Sequence, residues 1–484
     1  MSFRIFIILF LLFSFCTSDK KDTVVILYDR PPRTLDPHLR SEVVTLSILC
    51  NVYECLVDYD PNLRLIPKLA DNWSMPDSLT WEISIRKGVK FHNHKLLTAQ
   101  DVAYSFYRIF SLPGSEMKDL KMIVDTVIVV NEALMRIKTK FPYHYLLTHL
   151  TNMAIVPKDF TDFAKNPTGT GPYRVIHITK DSIVFIKNAE YYGRMPEVNK
   201  GIFKFVPEIS NRIELIKNNK AQIVYGIPSD SVISNSIQIL FAPSVITRYL
   251  EYDLNKFPFN QFLFRQAINL SINRREIAEK LYNNFALPAN QFIPKGFIGY
   301  IPEFPVIPYE PESAQKLIKK IGLNSKIKFA YAKVVEPVGK YVAENFRSIG
   351  IDVEELSLAA EEFWAGVENG KFDCYLISSI NTSLDGFNSV IISSFHTNSP
   401  ERGMGLMNSY HYSNPKVDML IDKAIRTRDR EIRLFCIKEI QRQLLIDLPT
   451  IPIIWEPRVY GVSREIKWHP RLDQQIRLAE IEIR

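Results

Sequence analysis

At 484 residues the chain is too long for one ordinary domain, and two or three packed units are expected. A composition of 46% hydrophobic and 23% charged residues, with 29 Pro and 18 Gly, supplies a sizeable core and excludes wholesale disorder or collagen-like repetition. The 60 basic and 53 acidic side chains are interspersed, so a net charge of +7 makes no basic tract of the kind that a nucleic-acid partner requires.

The one strongly apolar run, IFIILFLLFSF at residues 5–15, follows a single Arg4. It is too short to span a bilayer as a helix and suits the apolar core of a secretory signal over residues 1–15. Cys16 comes next and opens a polar tether at residues 16–22. This layout resembles a bacterial lipoprotein signal, which implies lipidation of Cys16. Phe15 stands where such signals usually carry a small residue, and plain secretion is the alternative. Cys50, Cys55, Cys374 and Cys436 show neither CxxC nor Cys/His spacing, so free thiols are expected and zinc is not.

Beyond the tether, VVILY at residues 24–28 reads as a buried strand. Val44, Ile48, Val52 and Cys55 suit one face of a helix over residues 41–57, and a Cys50–Cys55 bridge would require that helix to break. Trp81, Ile83 and Ile85 alternate with polar residues, the pattern of a half-buried strand that makes Trp81, and Trp73 beside it, core aromatics. Thr98, with Asp101 three residues on, marks a helix start for residues 98–110. Strands are expected at 126–130, 134–139, 173–178, 183–187, 202–205 and 246–253. After Asn255 helices alternate with strands: helices at 264–284, 312–321, 338–349, 415–427 and 430–446, strands at 327–331, 352–356, 373–378, 451–455 and 476–483. The two textures argue for two mixed α/β lobes.

Several segments follow one another along the chain: TLDPH (34–38), VYECLVDYD (52–60), LIPKLADNWS through LTAQDVAYSF (65–106), NPTGTGPYRV (166–175), NAEYYGRMPEV (188–198), the block from YDLNKFPF to NRREI (252–277), GKFDCYL (370–376) and LPTIPIIW (448–455). In this order the chain resembles the extracytoplasmic solute-binding proteins of peptide- and nickel-type ABC importers, family 5. The resemblance implies an α/β fold: a two-lobed, periplasmic-binding-protein-like clamp with mixed sheets, of the large peptide-binder subtype. Lobe I is expected at 23–255, completed by a last strand within 461–484, and lobe II at 256–460. Two crossovers, near Asn255 and Tyr460, would then form the hinge.

The resemblance also places a ligand. Peptide-binding members hold an extended ligand between the lobes by strand-edge pairing. Here the contributing segments are residues 30–35 and 378–387, which makes Arg30, Thr34, Leu35, Ser379, Ile380, Asn381, Thr382 and Asp385 the candidate site residues. Such members carry a Trp and then an Asp that takes the ligand's α-ammonium; this chain has Ile380 in place of the Trp, and Asp385, two residues out of register, is the only acid available. A peptide is the expected ligand, with a metal chelate or oligosaccharide as the alternative. The expected partners are the permease subunits of an importer, on a monomer tethered to a bacterial membrane at the periplasm or cell surface. A receptor of the same fold uncoupled from transport is the rival role.

No GxSxG, HExxH or GxGxxG motif is present, so no enzyme and no cofactor is expected. In NPTGTGPYRV, Gly169 and Gly171 read as positions where a side chain would block the backbone's course, not as a phosphate cradle, since the Lys and Ser/Thr of a P-loop are missing. His92 and His94 read as a surface turn rather than a metal site, and His144 and His149 do not share a helical face.

Overall fold

A computed structural model describes residues 22–39, 42–60, 64–115, 117, 119–228, 236–380 and 384–484. Its centre is an 11-stranded mixed sheet. At one end lie the parallel strands Val353–Leu358, Ile327–Ala332 and Cys374–Ile380; at the other, Thr23–Tyr28 pairs in parallel with Lys200–Phe205 and Ile223–Tyr225. Two long antiparallel strands, Ile237–Tyr252 and Ile451–Ser463, run through the middle and join the two ends. The expected strands at 246–253 and 451–455 are therefore only the portions of these crossover strands that lie toward Cys374–Ile380.

The first strand is buried as its continuous apolar run predicts, and the Tyr28 hydroxyl donates to Ser47 Oγ at 2.7 Å. A separate four-stranded antiparallel sheet holds Ala70–Ser74, Thr80–Ile85, Leu134–Thr139 and Val124–Asn131. Trp81, Ile83 and Ile85 point into the core, Trp73 packs partly buried against it, and Glu82 and Ser84 face outward. Helix Ala99–Ser111 starts at the expected cap: the Asp101 carboxylate accepts from Thr98 N at 2.9 Å and from the Thr98 hydroxyl at 2.8 Å.

Three elements differ from the sequence reading. The helix expected at 41–57 spans only Val43–Leu49. It ends where Asn51 N and Val52 N turn to the i−3 carbonyls of Ile48 (3.3 Å) and Leu49 (2.9 Å), and the Asn51 side chain fixes the exit: Nδ2 donates to Ser47 O (2.9 Å) and Ile476 O (3.1 Å), and Oδ1 accepts from Leu478 N (2.8 Å). Cys50 and Cys55 are nonetheless not bridged to each other and are half-buried, while Cys374 and Cys436 are free and buried.

The helix expected at 264–284 is two, Phe262–Ser271 and Arg274–Tyr282. Asn273 caps the second by accepting from Glu276 N at 3.1 Å. The break lets the buried Arg274 guanidinium donate to Pro452 O (2.8 Å) and Asn269 O (3.0 Å), and burial without a counter-charge pushes its pKa down to about 9.

The last expected strand, 476–483, is a single 3₁₀ turn, Leu478–Glu480, and a short strand, Glu482–Ile483, paired with Ile466–Lys467. Side chains satisfy its backbone donors instead of a sheet neighbour: Ser47 Oγ takes Ile476 N at 2.7 Å and Asn51 takes Leu478 N.

Gly169 and Gly171 behave as their motif implies. A Cβ on Gly169 would land on the Val52 carbonyl oxygen, and one on Gly171 would stand 2.7 Å from Asn51 O. His92 sets its Nε2 3.0 Å from Gly171 O, whereas His94 is exposed, with Nδ1 2.5 Å from Glu190.

Candidate functional site

The crossover strands set the geometry of the site. Their register is continuous from Ile237↔Ser463 to Ala242↔Arg458, then shifts so that Ile246 faces Glu456. Ser244 lies inside that irregularity at φ +57°, a left-handed conformation in which a non-glycine residue is strained. Just beyond it Arg248 and Glu456 form a bidentate ion pair, its second contact 2.7 Å, with 12% and 7% of the side chains exposed. Tyr282 OH donates to Glu456, and Arg248 also donates to Ser378 Oγ, so one buried cluster ties both crossover strands to the strand leading into the predicted ligand segment. Burial lowers the Arg248 pKa and Glu456 raises it; the net direction is up.

Ser379 follows Ser378 on strand Cys374–Ile380 and pairs with Thr247. A cavity of about 30 Å³ opens there, lined by Ser379, Thr247, Tyr249, Phe395, Tyr410 and Thr450 among others. Its two threonine hydroxyls, Thr247 Oγ1 and Thr450 Oγ1, are buried with no hydrogen-bond partner among the described residues. Next along the strand on the same face, Glu251 accepts from Tyr375 OH and Ser409 Oγ, each at 2.6 Å; burial still pushes its carboxyl up.

Asp385 is 3% exposed and sits on a backbone bridge to Ile298, with Ile298 N donating to Leu384 O (3.0 Å) and Gly386 N to Ile298 O (3.2 Å). Its charge reaches the hydroxyls of Tyr59, Tyr143 and Tyr145, where it adds to burial in pushing their pKa values up. Phe387 packs tilted against the Tyr145 ring at 5.2 Å between centroids, and Arg433 lies 4.8 Å over the same ring. His144 N donates to Ile425 O at 2.9 Å, and Arg402 lies 5.6 Å from the Phe141 ring. Residues 385–433 thus meet residues 59–145 across a broad contact that holds Asp385.

The other candidates are dispersed. Arg30 is exposed, 3.5 Å from Asp29 and 3.6 Å from Glu42. Thr34 spends its hydroxyl on Asp36 N at 3.0 Å, and Leu35 is a core residue that offers only its backbone. The TLDPH motif is a structural knot: Asp36 pairs with Arg108, and His38 Nε2 lies 2.9 Å from Ala154 O. None of Arg30, Thr34 and Leu35 lines the cavity at Ser379. Cys16, Asn381 and Thr382 lie outside the described residues, as does the Ile380 side chain.

A larger cavity, about 150 Å³, lies by Cys50, Cys55, Lys68 and Arg477, and none of the described candidate residues lines it. Its charges are mutually neutralised, Arg477 to Asp58 at 2.6 Å and Lys68 to Glu54 at 3.1 Å. Sequence reading missed Thr247, Tyr249, Tyr410 and Thr450. The alternation of residues 246–253 carried the signal for the first two, Thr450 lies unremarked within the LPTIPIIW segment, and Tyr410 arrives from a distant segment with no local mark. Among the described residues no group of three His, Cys, Asp or Glu is placed to hold a metal ion.

A mixed sheet bridged by two crossover strands, with a contact surface and a cavity beside the bridge, defines a binding protein of the periplasmic type. Solved structures share the fold. The ABC transporter-associated periplasmic binding protein DppA from Helicobacter pylori, in complex with the peptide STSA, superposes with a TM-score of 0.81 at 21% identity, covering 95% of this chain and 98% of that one. NikZ from Campylobacter jejuni, in complex with Ni(L-His), gives 0.81 at 21% identity, covering 95% and 99%. In sequence, the glutathione-binding protein GsiB of Pectobacterium atrosepticum is 25% identical over 356 residues, 69% of each chain. The sequence model of the bacterial extracellular solute-binding proteins, family 5 (middle), matches residues 64–401, and the chain belongs to that family. It is thus the solute-binding component of an ABC importer.

Proposed function

We propose that this component takes an extended peptide between two lobes, anchors its α-ammonium on Asp385 and delivers it to a membrane permease. The carrying observation is a buried carboxylate, 3% exposed, at the contact of two chain regions, whose charge is felt by the hydroxyls of Tyr59, Tyr143 and Tyr145. A carboxylate so placed favours a cation that arrives with its own hydrogen-bond donors. Arg30 is the candidate for the carboxylate end, and the backbone at 34–35 and 379–382 for strand-edge pairing. The lobes are residues 23–255 with 461–484, and 256–460, and they close by bending at the two crossovers near Asn255 and Tyr460. Ligand-coupled closure follows from differential affinity for the closed form.

Of the ligands named for the relatives, glutathione and the peptide STSA favour a short peptide over an oligosaccharide, while Ni(L-His) keeps a metal chelate as the alternative. Export by residues 1–15, lipidation at Cys16, a monomeric state and a site of action in the periplasm or at the cell surface complete the reading. Among the described residues no helix is long and apolar enough to cross a membrane.

Mass spectrometry of ligand released from denatured protein, followed by calorimetry with the recovered peptide, tests the reading. Asp385→Ala is expected to weaken binding at least tenfold, about 1.4 kcal/mol. Unchanged affinity removes Asp385 from the site, and a released non-peptide ligand removes the peptide.

A further inference from the structure

The cavity at Ser379 poses a chemical problem that the protein does not solve internally. Thr247 is 6% exposed and Thr450 1%, yet neither Oγ1 meets a partner among the described residues. A buried hydroxyl left unpaired is unfavourable, and it is tolerated where water or a ligand completes it. The remaining wall is largely aromatic, from Tyr249, Phe292, Phe395 and Tyr410, with Ser379 and Ser394 on its rim. Tyr410 commits its hydroxyl to Ser394 O, so it adds no free donor to the cavity.

The cavity's place also matters. Thr247 and Ser379 are paired neighbours on adjacent strands, and Ser379 immediately precedes the segment proposed to run along the ligand. At about 30 Å³ the space admits about two water molecules, or one side chain of two or three heavy atoms. It is too small for a Leu or Phe side chain.

We infer that this cavity is a specificity pocket for a small hydroxyl-bearing side chain of the bound peptide, with Thr247 Oγ1 and Thr450 Oγ1 as its hydrogen-bond partners. The inference rests on the peptide reading of the preceding section. A serine or threonine hydroxyl can donate to one threonine and accept from the other, which completes both at once. Alanine fills part of the space and leaves both hydroxyls unpaired. A site built to hydrogen-bond a hydroxyl discriminates more strongly against the analogue lacking it than an apolar pocket discriminates by size.

The test is calorimetry on the full mature chain, freed of ligand by unfolding and refolding, with alanine tripeptides carrying Ser, Thr, Leu or Phe at each position in turn. At one position Ser or Thr is expected to bind at least tenfold tighter than Ala, with Leu and Phe excluded. Thr247→Val and Thr450→Val should each cut that preference at least fivefold, while Thr247→Ser, which keeps the hydroxyl, retains it. Melting curves of all three variants separate a lost preference from a lost fold. Should both valine variants fail to fold, the unmodified chain still decides the matter.

Binding of all-alanine and serine peptides with equal affinity at every position would mean that the cavity holds water only, and would overturn the inference with the peptide reading intact. Valine variants that keep the full serine preference overturn it as well. Failure of every tripeptide to bind overturns the peptide reading itself.

Discussion

Glu456→Gln tests the mechanical centre of the molecule. The substitution keeps the shape of the side chain and removes the charge that neutralises Arg248 at 12% exposure. Deleting one partner of a buried ion pair strands the other in a poorly solvated place, at a cost of about 3–5 kcal/mol. The amide retains some acceptor capacity for Arg248 and Tyr282, so the lower end, about 3 kcal/mol, is expected. For a cooperative unit of about 200 residues this lowers Tm by roughly 6–12 °C.

The assay is thermal unfolding followed by far-ultraviolet circular dichroism, with the double variant Arg248→Met/Glu456→Leu alongside. Replacing both charges removes the desolvation problem and leaves only the Tyr282 and Ser378 hydroxyls short of a partner. The double variant should therefore recover to within about 2 kcal/mol of the parent. If Glu456→Gln melted within about 1 °C of the parent, or the double variant were no more stable than the single, the pair would not be carrying the load assigned to it here.

Other consequences are as concrete. Burial holds the His92 pKa down to about 4, with its Nε2 on Gly171 O. The unfolded chain, with an ordinary value near 6.5, binds the extra proton between those limits. Stability is therefore fully present above about pH 6.5 and falls as pH drops toward about 4, by on the order of 2–3 kcal/mol. His92→Gln should flatten the pH dependence of Tm in that window, and an unchanged slope would exclude His92 as its source. Gly169→Ala drives a methyl into the Val52 carbonyl, and a loss of about 3 kcal/mol or more is expected in urea unfolding. Thr98→Ala removes the cap hydroxyl from helix Ala99–Ser111 and should cost about 1 kcal/mol by the same measurement.

Much of the fold was legible because its signals are local. The alternation around Trp81, the Thr98–Asp101 cap, and Gly322 at the end of helix Pro311–Ile321, where φ is +69°, each depend on a few consecutive residues. The elements read incorrectly were decided by distant groups. Asn51 fixed the exit of a shortened helix by reaching residues 476–478, and the same contacts turned an expected C-terminal strand into a 3₁₀ turn. The crossover strands were seen only in part: their far halves, residues 237–242 and 457–463, are apolar, but their continuity with the near halves comes from pairing with each other.

The candidate site divides in the same way. Ser379 and Asp385 were reachable from the sequence because they follow a recognisable strand in a family-typical order. That the charge of the buried Asp385 reaches Tyr59, Tyr143 and Tyr145, and that Thr247 and Thr450 face one cavity, depends on distant segments meeting in space.

By itself, then, the sequence determined the class of protein, most of its helices and strands, and the glycines its backbone cannot do without. These rest on spacing along the chain, where hydrophobic period and turn chemistry act over a few residues. Only the tertiary structure decided how the two ends of the sheet are joined, which charges are buried as a pair, and where hydroxyls are left without partners. Those outcomes depend on packing between residues more than two hundred positions apart, such as Arg248 with Glu456, and such pairings leave no pattern in the order of the residues.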